Sequence, residues 1–270
     1  MKGTTLKYYT KQASVEQMEA SFNSDYDRLL LALEEYSKDQ SMIAYLRIFD
    51  ILSSGTDDLI NESARGEIES ILFLLISDVY SGADRLYRPW YVSSFGQMSS
   101  LSEEQINTVY GGSPERLARN RAIAIVPALM STIDRRREAI VSLESQEDIL
   151  GAAEGMSNRL ARTESNGAAG SIIEATATSM FTEGGLYKRW ISVGDERVRF
   201  NHRSVAAQKP IPLNQLYRVG DVLMRFPADP QAFGGNVAGE VVNCRCRSLV
   251  MPYSANQPNS NSLNQFLLGI

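Results

Sequence analysis

Apolar positions in the first half of the chain recur at three- and four-residue intervals. Met18, Phe22, Tyr26, Leu29, Leu30 and Leu33 trace one helical face, and Ser14 with Gln17 has the spacing of a capping box ahead of them. A second run holds Met42, Ile43, Leu46, Phe49 and Leu52 and stops at the Ser-Ser-Gly break of residues 53–55. A third covers about residues 64–86; its stretch 71–76 is apolar nearly all round, which predicts the most buried helix of this half. Arg88-Pro89-Trp90 predicts its end, because proline has no N–H to donate and disfavours helix before it. After a Ser- and Gly-rich loop, Ser113-Pro114-Glu115 is a helix start, with N-cap, proline at the first position and an acid in the first turn. That helix is expected to reach Leu143 with a kink at Pro127. Ser145 with Asp148 opens another, running to about Arg162; Gly167 and Gly170 predict a break, and helix resumes over 172–181. Beyond Gly184 glycine and proline become frequent, and 187–193 and 241–250 read as strands.

These elements predict an α+β fold. An all-helical N-terminal domain over 1–145 is followed by a small α+β domain over 146–252, then an extended tail, 253–270. The tail is rich in Asn, Ser and Pro but ends in the apolar tip Phe266, Leu267, Leu268, Gly269 and Ile270, a polar leash suited to docking on another chain. There is no internal repeat and no heptad seam.

Charge sharpens the division. Residues 1–150 carry 15 Lys and Arg against 23 Asp and Glu, a net charge of −8, whereas residues 151–270 carry 12 against 9, a net of +3. The whole chain, at −5, does not have the balance of a DNA-coating protein. Arg135, Arg136 and Arg137 read as a solvated helix face with Asp134 and Glu138 as local partners. Residues 1–10 carry lysines without an apolar core, and no apolar run approaches the roughly 20 residues that span a bilayer. A protein made and kept in a cytoplasm is expected, with its two cysteines reduced.

Candidate chemistry gathers in the second half. His202 is the sole histidine and the first nominee for any base working near neutral pH. With Cys244 or Cys246 it could form a thiolate–imidazole pair; the same three residues could hold zinc, with Asp195 as a fourth ligand. If 241–250 is a strand, both cysteines face inward as small core residues while Asn243, Arg245 and Arg247 face out. The sulfurs then sit roughly 6–7 Å apart, too far for a compact metal knuckle unless the backbone bends. Asp195, Arg197 and Arg199 share a face if extended, which suggests an internal ion-pair network that Arg162 and Glu164 could join. An arginine-lined phosphate pocket lacks the Gly-rich loop it needs.

Five clusters occur in a fixed order: Ala161-Arg162-Thr163-Glu164 on a helix, Trp190 on the next strand, Asp195 to His202 in the pattern D-x-R-V-R-x-x-H, Pro227-Ala228-Asp229-Pro230, and Asn243-Cys244-Arg245-Cys246. Over about residues 150–250 this resembles the phage Mu F-like family of head morphogenesis proteins; Ala228 departs from the glycine often found there. The resemblance implies a minor capsid protein in few copies inside the head, bound to portal or major capsid protein, with packaged DNA as a further neighbour and, for some members, exit with the DNA. It implies no catalytic residue. The alternative is an enzyme delivered with the virion, a transferase or hydrolase using Arg162, Glu164, His202 and the cysteines.

Overall fold

A computed structural model describes residues 15–54, 62–96, 99, 114–143, 145–181 and 185–253, with side chains from residue 23 to residue 251. Four long helices come first: α1 (Val15–Ser54), α2 (Glu62–Phe95), α3 (Pro114–Val141) and α4 (Gln146–Met180). Strand β1 (Gly185–Ile191), helix α5 (Phe200–Ala206), strands β2 (Ile211–Pro212), β3 (Tyr217–Val219), β4 (Val222–Met224) and β5 (Phe233–Gly234), helix α6 (Val237–Val241) and strand β6 (Arg247–Tyr253) follow. The fold class is therefore α+β with a helical N-terminal half. Tyr253, the expected start of the tail, is the last residue of β6; the rest of the tail and its apolar tip lie outside the described residues, as do the cap residues Ser14 and Ser113.

α1 packs on α4 and α2, and α2 on α3 and α4. The larger apolar core draws on all four helices and on Leu186, Leu249, Val250 and Met251 of the first sheet, so it takes residues from both sides of position 145. That sheet has the order β2-β1-β6, antiparallel, with Trp190 opposite Ser248. A second sheet, β3-β4-β5, closes a smaller core around Trp190, Val205, Tyr217, Val222, Cys244 and Cys246.

Several helices outrun their local sequence signals. The first two apolar runs form one 40-residue helix, because Ser37 and Ser41 between them are fully buried and Ser37 meets Ser165 of α4 across a 3.0 Å hydroxyl bond. α2 passes through Pro89 instead of stopping there. Arg85 and Pro89 are both exposed, so the carbonyl left without a donor lies on the solvent side. The turns beyond bury Trp90, Tyr91 and Phe95, and Tyr91 donates to Val250 O at 2.9 Å. Residues 71–76 are not apolar-buried all round: Leu72, Leu75 and Ile76 are buried, but Leu74 is 67% exposed.

α4 also runs unbroken through Gly167 and Gly170. These glycines make room for the 226–228 turn. A Cβ on Gly167 would lie 2.8 Å from Ala228 O, and one on Gly170 would lie 2.4 Å from the Phe226 ring. Gly170→Ala is expected to lower stability by about 1–3 kcal/mol in urea unfolding, since the ring has to leave its place. Of the basic triplet, Arg135 bonds Ser131 O and Thr132, while Asp134 pairs with Arg65 of α2 and not with its neighbours.

Lys188 of β1 is 1% exposed, its ammonium 5.1 Å from the Tyr217 ring centre and without a hydrogen-bond partner among the described residues. Burial pulls its pKa down to about 8; Glu174 and Asp229 oppose the shift and Arg225 adds to it. The unfolded chain, near the ordinary 10.5, then binds the extra proton between the two values. The penalty is complete below pH 8 and is relieved as pH rises toward 10. Lys188→Met is expected to raise stability by about 2–3 kcal/mol at pH 7. The gain should fade by pH 10 in unfolding curves taken across that range.

Candidate metal centre

His202 sits on α5 at 1% exposure, and the two cysteines are each at 2%. Residues 244–246 are not strand: β6 begins only at Arg247, and α6 ends at Val241. Between them Asn243 takes a left-handed backbone, φ +56°, which bends the chain. Both thiols thereby turn toward one side, each sulfur 3.5 Å from His202 Nδ1. The expected wide C-x-C spacing does not hold: the three ligand atoms lie within 4.8 Å of one another.

The bent loop is held from outside by residues that carry no metal-ligand signal in the sequence. Asn166 of α4 donates to Cys244 O and to Cys246 O, both at 2.9 Å, and its own oxygen accepts from Tyr26 of α1 at 3.0 Å. Asn243 N–H donates to Thr163 of the A-R-T-E cluster at 3.1 Å. Arg199 donates to Val242 O at 2.6 Å and to Glu240 O at 3.4 Å. Arg247 bonds Asn23 at 3.0 Å and pairs with Asp27.

On its other side the imidazole meets a carboxylate, with His202 Nε2 3.0 Å from Glu240 Oε2. Asn201 Nδ2 donates to Glu240 Oε1 at 2.8 Å. Trp190 stands edge-on to the imidazole at 5.3 Å and to Tyr217 at 5.2 Å, closing the apolar wall. The neighbouring Cys244 thiol, then His202 and Trp190, pull the Cys246 thiol down against its burial, while Cys246 and burial push the Cys244 thiol up. Two sulfurs and one imidazole nitrogen, buried and facing one point, are a donor set that fits a thiophilic divalent ion.

Asp195 takes no part. It is exposed and held in a fork by Arg245 at 2.6 and 2.8 Å, which keeps its carboxyl below the usual range. The expected arginine network is divided: Arg197 is exposed and offers Asp195 only its backbone N–H, Arg199 serves loop carbonyls, and Arg162 is exposed. Glu164 turns to a different place, where Arg121 of α3 forks onto it at 2.7 and 2.6 Å and also reaches Pro230 O at 3.2 Å. Asp229 of the P-x-D-P turn is buried against the Arg225 fork at 3.1 and 2.8 Å. Ala228 in that turn has φ +59°, the conformation a glycine would take without strain.

The five motif clusters thus serve two linked structures, the His–Cys centre and the Arg121–Glu164–Pro230 seam. Arg162, Glu164 and His202 share no hydrogen bond or ion pair among the described residues. Arg121, Asn166 and Glu240 are the contributors that sequence reading missed; each is an ordinary helix residue whose partner lies far along the chain. No protein-family model, curated protein or solved structure matches this chain.

Proposed function

We propose that this chain is a minor head protein of a tailed bacteriophage, acting by binding portal or major capsid protein inside the head. One observation carries the reading. Five residues of the ordered motifs are turned inward and met by protein groups: Glu164, His202, Asp229, Cys244 and Cys246 are each at most 2% exposed. Groups sealed in this way maintain a shape; they do not meet a substrate. The C-terminal module is a scaffold, and the long helices and outer faces are what neighbouring particle subunits grip. Zinc is the ion the scaffold takes, held by His202, Cys244 and Cys246, since borderline-soft Zn²⁺ matches two thiolates and an imidazole. Bound there, it would lock the cysteine loop to α5, with the three residues serving as its ligands.

Cross-linking mass spectrometry on intact heads containing the chain tests the assembly role. Links from its helices to portal or major capsid protein are expected. A chain that stays out of the particle, or links only to DNA, overturns the reading. Metal analysis of the purified protein tests the zinc separately, with one equivalent per chain expected.

A further inference from the structure

The geometry points to Glu240 as the residue that orients the metal centre: its carboxylate on His202 Nε2 fixes the imidazole so that Nδ1 presents a lone pair to the two sulfurs. This rests on the reading of His202, Cys244 and Cys246 as metal ligands. A neutral imidazole carries one hydrogen, on either ring nitrogen. Glu240 Oε2, 3.0 Å from Nε2, is an acceptor, so the hydrogen belongs there. Nδ1, 3.5 Å from both Sγ atoms, is then left as a donor of electrons to whatever ion sits between them.

Glu240 is itself oriented. Asn201 Nδ2 holds Oε1 at 2.8 Å, and Arg199 holds the Glu240 backbone carbonyl at 3.4 Å. Gly220 keeps that geometry open, because a Cβ there would come within 2.7 Å of Asn201 Nδ2. A carboxylate behind a ligating histidine is a recurrent outer partner of zinc, and its loss typically weakens binding about 10–100-fold. Glu240→Gln is the informative substitution. With its oxygen toward Asn201, the amide turns N–H groups to Nε2, which must then accept. The ring hydrogen moves to Nδ1, between the sulfurs, where it opposes the ion.

The test uses the full chain with Zn²⁺, titrated against a chromophoric chelator, and with Co²⁺, followed by its visible absorption. E240Q is expected to fold as the parent does by circular dichroism, to bind zinc about 10–100-fold more weakly and to shift the cobalt spectrum. Equal affinity with an unchanged cobalt spectrum overturns the role of Glu240 while leaving the metal centre standing. A parent chain that takes up no zinc overturns the centre itself, and this inference with it. Should E240Q not fold, Asn201→Ala decides: the carboxylate stays but loses its hold, a smaller fall in zinc affinity is expected, and no fall overturns the role.

Discussion

Replacing Asn166 by alanine is expected to lower stability by about 3–5 kcal/mol and to remove tight zinc binding. Asn166 is 1% exposed, and its amide satisfies three buried groups at once: the Tyr26 hydroxyl and the carbonyls of Cys244 and Cys246. Each group left unpaired costs about 1–3 kcal/mol, and a cavity adds to the sum. The effect on the metal comes through shape, because the Asn166 amide grips both carbonyls of the bent loop. Urea unfolding and chelator competition read the two effects independently. Unchanged zinc affinity in N166A would mean that the loop keeps its bend without the clamp.

The second large effect is at the seam. Arg121→Met is expected to destabilise by about 3–5 kcal/mol, because it leaves the Glu164 carboxylate buried at 2% exposure without a counter-charge. Removing both charges, with Glu164→Leu added, should recover most of that loss, since a desolvated ion pair contributes little over apolar side chains of similar size. A double-mutant cycle by chemical denaturation gives the coupling. If R121M alone is nearly neutral, Glu164 has another partner or water, and the seam is not what joins α3 to the 225–231 turn.

The parts of this fold that local rules govern are readable from the sequence. α3 starts at Pro114, and α4 starts after Ser145, whose side chain accepts from Asp148 N–H at 3.0 Å, as the cap spacing predicts. Misreadings come where a distant partner decides. Pro89 is a stop signal that aromatic burial overrides. Gly167 and Gly170 look like a break because the turn that needs their lack of a Cβ lies some sixty residues further on. For the candidate site, the residue set His202, Cys244 and Cys246 is legible, but its geometry is not. That geometry depends on one left-handed residue, Asn243, and on Asn166, which in sequence is simply an asparagine within a helix. Asp195 attracts attention as a nearby acid, yet Arg245 claims it at the surface.

The asparagine clamp also sets an order of events. Its bonds to the cysteine carbonyls span 78 and 80 residues, and the bond from Tyr26 spans 140. Closing loops of that length is slow and comes late. During synthesis α1 emerges well before the cysteine loop to which Asn166 ties it, and the thiols acquire their fixed separation only when the two have met. Ion uptake would therefore report that α1, α4 and the cysteine loop have come together, not the local folding of residues 185–253 alone.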